Sequence, residues 1–170
     1  MNIDWLKLMI LFAKNDGSLP DIELTNLSGI EVIYGYEFLR SHAKSIDTLN
    51  PYYWSNTQNK EIPIKFADNP AVQVVFGEGQ VFHLCFDGIE SPTGKAIPVL
   101  GIFVYPNCLN LDYRMGRDWD LEAIQGLFEL LYAMNQGFQA MELFHRGNYD
   151  DEGGAVFQSA WLEYVGKSTA

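Results

Sequence analysis

Three histidines and two cysteines are all this 170-residue chain offers for soft-metal or thiol chemistry, and two of them stand together as His83-Leu84-Cys85. One intervening residue puts both side chains on the same side of a strand. That pair supplies at most half of a zinc site, which wants spacings such as His-x-x-x-His or Cys-x-x-Cys, and neither occurs. A cysteine nucleophile needs a neighbouring base and a cation to hold it as thiolate. Cys85 is flanked by Leu84 and Phe86, with no nearby cation, so it reads as a buried thiol, and so does Cys108 in its own apolar run. Two cysteines make no disulfide framework, although one bridge follows if their strands pair. The chain has no Gly-x-Ser-x-Gly elbow and no phosphate-binding Gly-Lys-Ser/Thr loop; Gly77-Glu78-Gly79 puts a carboxylate where a phosphate would sit.

Carboxylates are the abundant chemical group. Asp118 and Asp120 lie two apart at a helix start, and Asp150, Asp151 and Glu152 are consecutive. The calcium-loop spacing Asp-x-Asp-x-Asp-Gly is absent. Asp at a helix start also complements the macrodipole, and a run of acids in a loop is an ordinary solvated feature. No metal and no cofactor is expected. If the chain is a small enzyme, its acid–base pair is His83 or His145 with Asp112 or Glu142.

Charge excludes more than it identifies. Eleven basic residues against 22 acidic ones give a net charge of −11. That argues against nucleic acid and against an anionic membrane, both of which need a basic face. Residues 1–85 hold 10 acids and 6 bases, a net −4, and residues 86–170 hold 12 acids and 5 bases, a net −7. Such a field draws in a basic partner. Beside it stands Tyr52-Tyr53-Trp54, three adjacent aromatics among Asn, Ser, Thr and Gln. Rings of this kind dominate binding hot spots; their bland alternative is to fold back over the core.

The elements that must position these residues follow from periodicity. Trp5, Leu8, Met9 and Phe12 recur at helical spacing, predicting a helix over residues 3–14 that Gly17, Ser18 and Pro20 end. The same opening segment does not read as a signal peptide, because Asp4 precedes the apolar run, Lys7 interrupts it and no small-x-small cleavage site follows. A cytoplasmic address follows by elimination. Asp21–Leu24 alternates as a short strand. Ser28 three residues before Glu31 is a capping box opening a helix to about Ala43, with Ile30, Ile33, Tyr34 and Phe38 as its buried stripe. Residues 45–60 read as a long loop. Strand residues fill 61–66, 72–76, 81–86, 97–105 and 108–113, with turns at Gly77–Gln80, Ser91–Lys95 and Pro106-Asn107. A helix runs from about Trp119 to Met134, capped by Asp118 or Asp120. Residues 138–145 and 155–165 alternate as two more strands, the second with a C-terminal helix as its alternative. The expectation is one α+β domain over residues 1–170, an antiparallel sheet of about five to seven strands with two or three helices packed on it.

Three stretches give the chain a likeness. Leu19-Pro20-Asp21-Ile22-Glu23-Leu24 follows a short N-terminal helix, Leu111-Asp112-Tyr113-Arg114-Met115-Gly116-Arg117-Asp118-Trp119 precedes a longer one, and the balance of charge is acidic. With these features the whole chain resembles the small acidic cytosolic immunity proteins of bacterial toxin–immunity systems. The resemblance implies a stoichiometric inhibitor of one cognate toxin, a nuclease or another enzyme with a basic substrate cleft. It carries over no residue roles. The expected partner is therefore a toxin with a basic surface, met by Tyr52, Tyr53, Trp54, Asp118, Asp120, Asp150, Asp151 and Glu152, in a protein that does no chemistry of its own. The rivals are the small enzyme above and an adaptor subunit of a phage or secretion system.

Overall fold

Alternation of apolar and polar residues becomes a sheet in the computed structural model, which describes residues 2–147 and 152–168. In chain order the elements are α1 (Trp5–Ala13), β1 (Asp21–Thr25), α2 (Gly29–Ser41), β2 (Ser45–Ile46), β3 (Tyr52–Ser55), β4 (Lys60–Pro63), α3 (Ala71–Val75), β5 (Phe82–Asp87), β6 (Ile89–Glu90), β7 (Ala96–Ile97), β8 (Leu100–Val104), β9 (Leu109–Tyr113), α4 (Leu121–Asn135), β10 (Glu142–Arg146) and α5 (Glu152–Ser168). Six strands form the main sheet in the order β10-β1-β9-β8-β5-β2, and β3-β4 and β6-β7 are separate hairpins. Every pair in the main sheet is antiparallel. The fold is α+β, and the sheet's six strands fall within the expected range.

One face of the sheet is apolar. Leu24, Leu111, Ile102, Leu84 and Phe86 point into it, each fully buried or nearly so. The helices pack there. Phe12 of α1 stacks on Tyr113 at 4.6 Å, Tyr36 of α2 meets Phe82 at 5.9 Å, and Phe157 of α5 stacks on His145 at 4.9 Å. The capping box forms as the spacing predicts, with Ser28 accepting from the Glu31 N–H and Glu31 from the Ser28 N–H. The opposite sheet face carries Asp21, Glu23, Asn110, Asp112, Gly101, Phe103, His83 and Cys85 by strict alternation.

Several expected elements differ. The stripe of α2 is rotated: Val32, Gly35, Tyr36 and Leu39 are buried, while Ile30 is 80% exposed and Ile33, Tyr34 and Phe38 are half-buried. Residues 72–76 form α3 instead of a strand, because Asn69 accepts from the Ala71 N–H and Ala71 and Val74 turn inward at helical spacing. Gly77 does take a positive φ, +77°, but as the terminator of α3. The Glu78 N–H bonds the Gln73 carbonyl at 2.8 Å and the Gly77 N–H the Val74 carbonyl at 3.2 Å, the paired bonds of a glycine helix stop. The expected loop 45–60 contains β2, β3 and the start of β4. Residues 155–165 lie within α5, where Gly153, Phe157, Ala160 and Trp161 are buried at helical period. With α3 and α5 added, the described residues hold five helices instead of two or three.

Candidate functional site

The polar sheet face gathers its chemistry around a missing side chain. His83 of β5 and Asp112 of β9 are separated by β8, whose Gly101 pairs in register with both Cys85 and Asp112. Gly101 offers no Cβ, so the two side chains cross over it and join, His83 Nε2 to Asp112 Oδ1, at 2.7 Å. A methyl group at Gly101 would collide with the Asp112 carboxylate and lie 2.5 Å from His83 Nε2. Phe103 supports the imidazole, ring to ring at 4.2 Å. Asp112 is almost fully buried and His83 about one-third exposed. Asp21, beside Asp112 on β1, has its carboxyl pushed up, first by burial and then by the Asp112 and Glu23 charges.

Cys85 shares this face with His83, as the spacing predicts. Its backbone N–H donates to the Thr48 hydroxyl at 2.8 Å. Burial pushes its thiol up, against the lowering effect of Thr48, so it is not poised as a nucleophile. Both cysteines are free thiols, half-buried instead of fully buried. Among the described residues, no three His, Cys, Asp or Glu side chains are grouped closely enough to hold a metal ion.

Three clefts meet around His83 and Asp118. A groove of about 430 Å³ has His83, Cys85 and Gly101 on its floor and Asp47, Asp112, Asp118 and Arg114 around it. It shares Pro98, Val99 and Asp118 with a second, of about 580 Å³, that holds Asp87, Asp120 and Glu122. Six carboxylates therefore line the two, against one arginine. On the other side, His83 also lines a cleft of about 460 Å³ walled by Leu49, Tyr52, Trp54 and Val81.

The sequence-derived site residues divide accordingly. Tyr52, Tyr53 and Trp54 are not on a loop but on β3, paired with β4 as Tyr52↔Pro63, Tyr53↔Ile62 and Trp54↔Glu61. Tyr52 is half-exposed, whereas Tyr53 packs against the core over Gly79. The hairpin is held against the run into β5, since the Gln80 N–H donates to the Trp54 carbonyl at 2.9 Å. Asp118 and Asp120 straddle Trp119, which is buried between Phe12 and Tyr113 and donates its indole N–H to the Arg114 carbonyl at 2.9 Å. That anchor turns both acids outward. Asp120 is also the N-cap of α4, accepting from the Ala123 N–H at 2.8 Å. Glu152 opens α5, which packs on β10 at the sheet edge remote from β5. Asp150 and Asp151 lie outside the described residues. Asp47, Asp87 and Arg114 escaped sequence reasoning, because no spacing links them.

Of the acid–base pairs considered from sequence, His83 with Asp112 forms and His145 with Glu142 does not. Alternation on β10 sends Glu142 outward and His145 into the core, where it meets the Tyr113 hydroxyl at 2.8 Å.

No family model matches the sequence, and no curated protein does. A solved structure that the chain resembles is a chain of the 1.75 Å crystal structure of the toxic C-terminal tip of CdiA from Pseudomonas aeruginosa in complex with immune protein. The TM-score is 0.53 at 13% identity, over 79% of this chain and 90% of that one. At that identity the likeness is one of fold. Among the described residues no helix is long and apolar enough to cross a membrane.

Proposed function

We propose that this chain is an immunity protein, a stoichiometric inhibitor that binds one cognate bacterial toxin and occludes its active site. One observation carries the reading: two joined clefts hold six carboxylates against a single arginine, and the β3–β4 hairpin flanks them across His83 with Tyr52 exposed. Five of those acids, Asp47, Asp87, Asp118, Asp120 and Glu122, are exposed, so they are free to meet lysines and arginines that would otherwise hold the toxin's anionic substrate. The fold likeness to a chain of a toxin–immunity complex supports the same reading. An interface of about 1,600 Å² is expected, with the acids speeding encounter and the rings forming its dry centre. The protein performs no turnover in this account.

The test is co-expression with the toxic domain encoded beside this chain's gene. Growth rescue together with a one-to-one complex supports the role; unprotected cells overturn it.

The contact between His83 and Asp112 favours a second reading, a general base oriented by a carboxylate in a cleft. His83→Ala separates the two. An enzyme loses turnover with its base, whereas an inhibitor still protects cells when expressed in excess.

A further inference from the structure

The face that carries the proposed function is divided chemically. We infer that it docks an extended segment of a partner protein in which an apolar side chain is followed, four residues on, by a lysine or arginine. This rests on the immunity reading for the partner's identity and on the geometry of the clefts for its chemistry.

The hairpin cleft carries no formal charge, and Thr48, Asn50 and Gln80 are polar members of its lining. Leu49, Tyr52 and Val81, three large side chains that are each 44% exposed or more, stand around it with Trp54. None of the residues lining it is a lysine, arginine, aspartate or glutamate. Its volume accommodates an indole or a leucine side chain. An anchor placed there is removed from water on several sides, which is where binding energy concentrates. The groove that follows differs in charge, with Asp47, Asp112 and Asp118 at its walls.

The two are consecutive along β5 and the residue that leads into it. Val81 lines the first, His83 lines both, and Cys85 lines the second. From Val81 to Cys85 is four residue steps, about 13 Å at the rise of an extended chain. A partner segment laid along that line covers the distance with the same number of residues. Because side chains of an extended segment alternate, positions i and i+4 point the same way. The anchor and the cation therefore enter their clefts together only at even spacing, and four fits the length.

The probe is a blocked synthetic peptide, Gly-Trp-Ser-Gly-Ser-Arg-Gly, titrated into the full-length, isotope-labelled protein and followed by amide NMR shifts. Control peptides lack the Trp, lack the Arg, or place the two side by side. The expected result is that the spaced peptide shifts amides at both Leu49–Trp54 and His83–Cys85, and binds about fivefold tighter than each control, the worth of one exposed ion pair or ring contact. Val81→Asp, with its fold checked by circular dichroism, removes the hairpin shifts and leaves those caused by the Arg-only peptide. Shifts scattered over the surface, or equal binding of the side-by-side peptide, overturn the inference. The assay contains no toxin. Rescue of growth without binding of the spaced peptide keeps the immunity role and removes this docking geometry. Peptide binding without rescue keeps the geometry and removes the role.

Discussion

The hydroxyl of Tyr113 and Nε2 of His145 lie 2.8 Å apart, inside the core and on the face of the sheet opposite the clefts. Burial pushes the phenol well above its ordinary range and pulls the imidazole down to about 4. Two neutral groups therefore share this bond, its donor set by the ring tautomer, and His145 Nδ1 is a buried atom with no partner among the described residues.

The first prediction follows from that ring. Below pH 6.5 the unfolded chain protonates His145, but the folded chain does so only near 4. The unfolded state thus binds the extra proton throughout this window, and stability falls as pH falls through it. A histidine held at about 4 instead of 6.5 contributes about 3 kcal/mol, present in full above 6.5 and lost towards 4. Urea unfolding at pH 7, 5.5 and 4.5 measures the slope. His145→Gln keeps a hydrogen-bond partner for Tyr113 and removes the titration, so the difference between the two slopes isolates the residue. Parallel slopes would refute the assignment.

Gly101 is the second. Its place between β5 and β9 is what lets His83 reach Asp112, and a Cβ there meets both. Gly101→Val should cost about 1–3 kcal/mol through overpacking, even though valine suits strands better than glycine does. The His83 imidazole resonances should move with it, because the contact with Asp112 cannot survive. A Gly101→Val protein as stable as the parent, with unmoved imidazole signals, would contradict this account of the strand.

Much of the framework was legible from period alone. Trp5 to Phe12, Ser28 with Glu31, Phe82 to Phe86 and Leu121 to Leu131 each repeat a burial or capping pattern that one element satisfies by itself. Ala71–Val75 misleads because valine favours strands, and the Asn69 bond to the Ala71 N–H together with packing against α2, where a Cβ on Gly29 would collide with Val75, decides for helix. In residues 155–165 a short alternation masks the longer period of Phe157, Ala160 and Trp161. The site was less legible, since His83 and Asp112 are 29 residues apart and meet only through register. One sign was available: Gly101, alone within the run Val99-Leu100-Gly101-Ile102-Phe103, marks the kind of strand position where neighbours approach closely.

Trp119 ties the core to the clefts, and the third prediction concerns it. Its ring packs 4.9 Å from Phe12 and 5.2 Å from Tyr113, and its N–H holds the Arg114 carbonyl. Trp119→Ala should cost about 3–5 kcal/mol, the range for emptying a buried aromatic site. Trp119→Phe should recover most of the packing but not the hydrogen bond, leaving a deficit of about 1 kcal/mol. Chemical denaturation of the three proteins orders them, and an alanine variant within 1 kcal/mol of the parent would be incompatible with this packing, by the scale of measured core truncations.

The last prediction separates structure from charge at the lip of the clefts. Asp120 caps α4, so Asp120→Ala confounds a lost cap, worth about 1 kcal/mol, with a lost carboxylate. Asn caps about as well as Asp, and Asp118 makes no cap. The double variant Asp118→Asn, Asp120→Asn should therefore unfold within about 0.5 kcal/mol of the parent while removing two of the six groove charges. Against a basic toxin, its association rate should fall by about threefold to tenfold at low salt, with dissociation nearly unchanged. Raising ionic strength shortens the screening length to a few ångströms, so the two proteins should converge there. Stopped-flow association at several salt concentrations reads all three quantities. A change confined to the dissociation rate would mean that these acids lie inside the contact, paired and desolvated, and that steering comes from elsewhere on the surface.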